Sequence, residues 1–241
     1  MRKFLLLSAA ALAASAGSAF AQDHTGISVA IGATQFDGDF EFTGGKPTQE
    51  LSGTLPTLRL GADYQFGGDE GGPVLGASYF TTFGDGIQSP PNRDGNYLVQ
   101  DGRIDGLSGW EVRAGWAFGD WLPYVAYGQT ERDGVTRQSC PNDPASVVAG
   151  FCAGGFVPAT ATARAGQREG SVDGSGETIS LGLEWNLSEH VFFDARASQT
   201  DFGEQIVSLD PTGNTPGQLA HPLTNPSQDS QAFSFAIGWR F

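Results

Sequence analysis

AFSFAIGWRF, residues 232–241, decides the fold. Phe233, Phe235, Ile237, Trp239 and Phe241 are large and apolar, whereas Ser234, Ala236, Gly238 and Arg240 are small or polar. A period of two is the spacing of a β-strand with one apolar and one polar face. A soluble sheet rarely sets five large apolar side chains on one face of its terminal strand and then stops on an aromatic.

The N-terminus points to the cell envelope independently. Arg2 and Lys3 form a basic start, Phe4 to Ala14 a mostly apolar run, and Ala19, Phe20 and Ala21 an A-x-A cleavage site, so residues 1–21 read as a signal peptide. The apolar run is shorter than the roughly 20 residues of a spanning helix, which favours a cleaved leader over an anchor. No later stretch is long and apolar enough to span as a helix. A membrane protein with this sequence must therefore cross as a barrel.

Working back from the end, the chain from residue 22 onward divides into eight alternating segments. They are 26–36, 55–66, 73–83, 107–118, 122–130, 177–187, 191–202 and the terminal strand. Each has about 10 residues, the length that crosses a bilayer at a barrel strand's tilt. Residues 67–72, 119–121 and 188–190 are short connections. The others, 37–54, 84–106, 131–176 and 203–231, are long. This alternation implies an all-β, eight-stranded antiparallel up-and-down transmembrane β-barrel with short periplasmic turns and four long extracellular loops. Aromatics cluster towards the short-turn ends: Tyr64, Phe66, Phe118, Tyr124, Trp185, Phe193, Trp239 and Phe241 read as a girdle, with Trp121 in a turn. The facing of segment 122–130 stays open, because Tyr124 and Tyr127 differ in parity.

On the inward parity lie four cations, Arg59, Arg113, Arg196 and Arg240, and four anions, Asp63, Glu111, Glu184 and Asp194. Charges confined in a narrow interior are expected to pair, since an isolated buried ion is costly. The resulting network reads as a plug; pairs that exchange partners would instead make a narrow pore.

Cleavage removes Arg2 and Lys3 but none of the 27 acidic residues, taking the formal charge from −14 to −16. Nucleic acid is therefore not an expected partner. Cys140 and Cys152 are the only cysteines, and in an exported chain a disulfide is expected. Only Asp143 lies between them as a further ligand, so a metal site is disfavoured. The acidic DGDFE at 37–41 lacks the glycine and distal glutamate of a calcium loop. No cofactor is expected.

ETISLGLEWNL (177–187), TDFG (200–203) and SFAIGWRF (234–241) resemble the OmpA/OmpX-type barrels, including the opacity-like proteins grouped as a porin family. The resemblance implies a small, monomeric outer-membrane protein surrounded by lipid and lipopolysaccharide. It also implies that the barrel-assembly machinery reads the C-terminal strand. With the sequence ending at Phe241, the peptidoglycan-binding role of OmpA's second domain is not expected to carry over. Some eight-stranded relatives modify lipid A with a His and a Ser on the lipid-facing surface. Here His24, His190 and His221 stand at the mature N-terminus, in a short turn and in a long loop, so a non-enzymatic structural or surface-interaction role is expected. A narrow porin is the alternative, and no extracellular ligand is identified.

Refolded protein should migrate faster on cold SDS gels before boiling than after; equal mobility would contradict the barrel.

Overall fold

The computed structural model describes residues 24–40, 49–67, 71–89, 92–93, 99–139, 167–211, 221–225 and 229–241. Eight long strands carry the architecture: β1 (Gly26–Phe40), β2 (Gln49–Gln65), β3 (Gly72–Thr82), β4 (Val99–Ala117), β5 (Trp121–Ser139), β6 (Gly174–Asn186), β7 (Val191–Asp201) and β8 (Asp229–Arg240). Each pairs antiparallel with the next, and β8 returns to β1 through a register running from Ser28↔Arg240 to Gly38↔Ser230. The sheet is a closed eight-stranded barrel.

The alternation in the sequence becomes alternation across the wall. Ile31, Leu60, Leu75, Trp116, Val125, Leu181, Phe235 and Ile237 point outward and are exposed, while the residues between them face a filled interior. In water so many exposed large apolar side chains would drive association. Against lipid tails they are matched. The apolar band ends where Glu177, Asp201 and Asp229 lie opposite one another on β6, β7 and β8, all exposed. Carboxylates cannot sit in hydrocarbon, so this row marks the outer edge of the membrane-embedded wall.

Among the described residues, the ends opposite that row are joined tightly. Phe118 and Trp121 exchange backbone hydrogen bonds (2.8 and 3.2 Å) around Gly119–Asp120. Gly119 has φ +60°, the conformation a two-residue hairpin needs. Leu187 donates to the Val191 carbonyl at 2.8 Å to close the next turn.

Two expectations need correction. The strands run further than the apolar periodicity indicates, so stretches expected as loops within 37–54, 84–106, 131–176 and 203–231 carry strand at their barrel-proximal ends. Above the lipid a strand needs only backbone pairing and no greasy face, so the periodicity fades before the strand does. Segments Gln167–Ser171, Gln205–Pro211 and His221–Asn225 add to this extramembrane sheet on the β5 side. The second correction is Tyr124, which points inward and is buried, whereas Tyr127 faces lipid.

A bulge in β4 leaves Asp105 unpaired between Ile104 and Gly106. The extra residue switches facing, so Leu107 and Ile104 both point inward, while Arg103 and Asp105 pair with each other at 2.6 Å. Ile104 thereby joins an apolar cluster with Phe36, Leu51, Leu55, Ile87, Leu107, Val172 and Val207 inside the outer mouth.

Interior rings pack against missing side chains. Tyr124 lies directly across from Gly182, and Phe192 across from Gly238; a Cβ on either glycine would meet the facing ring. Gly182→Val is expected to destabilise the barrel by about 1–3 kcal/mol through overpacking, measured as a lower midpoint of urea unfolding from lipid vesicles. An unchanged midpoint would contradict this packing.

Candidate functional site in the barrel lumen

Inward positions of all eight strands stack into tiers along the barrel axis. The lowest joins β2, β4, β6 and β8. Arg113 grips Asp63 with a two-pronged contact, Nε to Oδ1 at 2.6 Å and Nη2 to Oδ2 at 2.5 Å, and its Nη2 also reaches Glu184 Oε2 at 2.9 Å. Arg240 Nη2 donates to the other oxygen of Glu184 at 2.5 Å, and its Nη1 to Asn186 Oδ1 at 2.9 Å. Glu184 has no solvent exposure. Two guanidiniums on a fully buried carboxylate make each contact a charge-assisted hydrogen bond in a dry setting.

The second tier joins β2, β3, β4, β5 and β7. Arg59 Nη1 donates to Asp194 Oδ1 at 2.7 Å, and Arg196 Nη1 donates to Glu111. Ser78 Oγ reaches the same Glu111 oxygen at 2.7 Å. The Tyr124 hydroxyl donates to Asp194 Oδ2 at 2.5 Å and accepts from Arg196 Nε at 3.0 Å. Its ring also lies beneath two guanidiniums, with Arg113 4.9 Å and Arg196 5.4 Å from the centroid. Tyr124 is thus the post that joins one tier to the other.

Each tier holds two arginines and two carboxylates: Arg113 and Arg240 with Asp63 and Glu184, then Arg59 and Arg196 with Glu111 and Asp194. Charge is balanced locally as well as in total. That matters because at low dielectric a charge is weakly screened while its attraction to a partner still weakens with distance, so each arginine is best offset by a carboxylate in contact with it.

Above the ion pairs lies a belt of hydroxyls. Thr34 bridges Thr57 (2.7 Å) and Ser234 (2.8 Å), and Thr178 bridges Thr130 (2.7 Å) and Thr200 (2.8 Å). A cavity of about 40 Å³ sits here, floored by Arg59, Glu111 and Arg196 and roofed by Phe36, Phe80, Leu107 and Phe202. It has room for about three waters. A cavity of about 10 Å³ lies on the other side of Arg59, lined by Asp63, Arg113, Glu184 and Asp194. The apolar cluster closes the outer end, where Arg132 Nε donates to the Val172 carbonyl at 3.2 Å and its guanidinium lies 4.3 Å from the Phe202 ring centroid.

All eight charges picked out by parity therefore occupy the interior and contact one another. Phe233, Phe235, Ile237, Trp239 and Phe241 are exposed along β8 and at its end. Cys140 and Cys152 lie outside the described residues, as do residues 1–21. Parity alone did not single out Asn186, Ser78 or His24, and it left Tyr124 open. Asn186 and Ser78 are inward but neutral, and His24 precedes the first strand. Phe36 and Leu55 had the inward parity that announces the apolar cap.

A closed barrel with a lipid-matched exterior and an ion-paired interior defines a transmembrane outer-membrane protein. The chain belongs to the family described as the outer membrane protein beta-barrel domain, whose model matches residues 4–241. This places it in the outer membrane of the Gram-negative type. Similar solved structures include Ail, the attachment invasion locus protein of Yersinia pestis, at 15% identity and a TM-score of 0.40, covering 90% of this chain and 99% of that one. Outer membrane protein OprG from Pseudomonas aeruginosa is 16% identical with a TM-score of 0.45, covering 91% and 97%. Outer membrane protease OmpT from Escherichia coli is 8% identical with a TM-score of 0.42, covering 93% and 99%. No curated protein matches the chain. Barrels of one shape serve many activities, so the site must carry the functional argument.

Arg113→Met would leave Asp63 without its two-pronged partner and Glu184 without one of its two guanidiniums. It is expected to cost about 3–5 kcal/mol, and Arg113→Met with Asp63→Asn distinctly less, because the second change removes an uncompensated buried charge. Urea unfolding of both variants measures this; equal losses would mean that pairing is not what holds the lower tier.

Proposed function

We propose that this protein is a non-enzymatic outer-membrane scaffold: its lumen is a plug, and its extramembrane sheet and outer loops are its working surface. The observation that carries the reading is the division of the interior into two separately neutral ion-pair tiers beneath an apolar cap. A conducting path needs wetted, mobile groups from end to end. Here the charges are cross-braced from β2, β4, β6, β7 and β8, with Tyr124 of β5 bonded between Asp194 and Arg196, and the outer mouth is filled by aliphatic and aromatic side chains. Rigid barrels characteristically place recognition on their loops.

The reading includes further parts. Residues 1–21 are a leader removed on export, and Cys140 and Cys152 form a disulfide in the longest loop. The barrel acts as a monomer amid lipid and lipopolysaccharide, and the assembly machinery reads its terminal strand, Phe233 to Phe241. An extracellular ligand would meet the loops. Two histidines have their side chains described, and neither sits on the lipid face as a base: the His24 Nδ1 faces Glu184 inside the barrel, and His190 is stacked on Trp239, centroids 5.2 Å apart, at the turn. Neither forms a serine–histidine pair on the lipid face.

A narrow porin for small solutes or ions is the second reading. Its support is that Arg113 bridges two carboxylates while Arg196 lies between Glu111 and Asp194, at 3.9 Å from the latter, so partners can be exchanged without leaving a charge bare.

Single-channel recording of the refolded mature chain in planar bilayers separates the two. A plug is expected to be silent at high protein load, and lipid A mass is expected to be unchanged after incubation with the protein. Reproducible openings that change when Arg113 or Glu111 is neutralised would overturn the plug in favour of the porin; a shifted lipid A mass would overturn the non-enzymatic reading.

A further inference from the structure

His24 lies outside every strand, just before β1, yet it has no solvent exposure. Residues near a chain end are ordinarily ordered only when something ties them down. His24 is tied from three directions. Its backbone N–H donates to Gln65 Oε1 at 3.0 Å, at the lower end of β2. Its ring Nδ1–H donates to Glu184 Oε1 at 3.0 Å, from β6; a carboxylate can only accept, so that nitrogen carries the hydrogen. Its Nε2 is 3.3 Å from the Gly119 carbonyl oxygen in the β4–β5 turn and 3.5 Å from Asn186 Nδ2. The next residue follows suit, with Thr25 Oγ1 accepting from the Gln65 backbone N–H at 3.0 Å.

All of these partners except Glu184 stand at the short-turn rim, and Glu184 is the fully buried carboxylate of the lower tier. We infer that His24 and Thr25 form a stopper that folds under the barrel and seals the periplasmic mouth of the lumen. The imidazole takes the space beneath Glu184. Glu184, which His24 holds, also borders the 10 Å³ cavity lined by Asp63 and Arg113, large enough for about one water. The outer end is closed by apolar packing, whereas this end is closed by His24 and Thr25, which precede the first strand.

The charge arrangement makes the stopper removable. Without His24, Glu184 keeps Arg240 on Oε1 and Arg113 on Oε2. The titratable groups around the imidazole are Glu184, Arg113, Arg240 and Asp63, and their mutual pairing does not depend on it. A His24→Ala chain should therefore fold into the same barrel with its lower mouth open.

The inference rests on the plug reading, and two measurements on the refolded mature chain test it. The His24 backbone amide, bonded to Gln65, should exchange with solvent about a hundredfold or more slowly than in an unstructured chain, as read by NMR. His24→Ala should let water reach the lower tier, so that the Arg113 and Arg240 guanidinium protons exchange about tenfold or more faster than in the parent, and His24→Gln, whose amide can still donate to Glu184, should return towards the parent rate. A freely exchanging His24 amide, or identical guanidinium exchange in the parent and His24→Ala, would overturn the stopper. Openings of the parent chain in planar bilayers would overturn the plug reading instead, and the exchange comparison would still decide the stopper.

Discussion

Hydrocarbon offers no hydrogen-bond partner, so each peptide group inside it must be paired within the protein. Closure of β8 onto β1 meets that demand, because the last backbone edge within the membrane-embedded wall disappears when Arg240 and Ser28 come into register. The chain end shares in the closure: the Phe241 N–H donates to the Ile27 carbonyl at 2.9 Å, and the Arg240 N–H to the His190 carbonyl at 2.7 Å. With the edge gone, side chains only have to match two solvents, lipid outside and a narrow enclosed volume within. The alternation along every strand does this, and it is why one decapeptide at the end of the chain betrays the whole architecture.

The interior then imposes a second constraint. Eight strands enclose a bore that side chains can fill, and the outward face has claimed nearly half of each strand for apolar residues. What remains inside is mostly small, polar or charged, with a few aromatics, and the charges can stay only if each finds a partner nearby. Dividing them into two neutral tiers meets this condition without long-range balance. Tyr124 and Phe192 fill the volume that small residues leave, lying against Gly182 and Gly238 on the facing strands. Small residues on one strand are thus part of the packing of aromatics on its neighbour.

The membrane-embedded wall and the identity of the eight lumen charges were legible in the sequence because both follow from a strict period of two. Legibility failed where that period is interrupted or irrelevant. The bulge at Asp105 changes the facing of β4, so parity counted from Trp110 cannot place Ile104 in the cap. Tyr124 is amphipathic and suits either an interfacial girdle or a buried hydrogen bond, and only the surrounding Arg113, Arg196 and Asp194 decide between them. His24 lies beyond the first strand, where no pattern runs. Its position is set by Gln65, Gly119 and Glu184, residues 41, 95 and 160 places away in the chain. Above the lipid, β4 and β5 continue as strand without an apolar face, and hydropathy has nothing to register there.

The contrast between the two ends of the lumen follows from what each end faces. Outside the cell the barrel carries long excursions, and segments returning from them bring Ile87, Val172 and Val207 down onto Phe36, Leu51 and Leu55, so a dry apolar seal forms from residues distant in sequence. The periplasmic side has only short turns, with too little chain to build such a seal. Polar groups are what the strand ends present there: Gln65, Asn186, Arg240 and the Gly119 carbonyl. A seal at that end must be made of hydrogen bonds, and among the described residues the segment that precedes β1 supplies them. An apolar seal resists wetting through its whole thickness, whereas a hydrogen-bonded one exchanges readily with water once its geometry is disturbed. The barrel is therefore asymmetric in the ease with which it could be opened, firm towards the outside and held by a few directed bonds towards the periplasm.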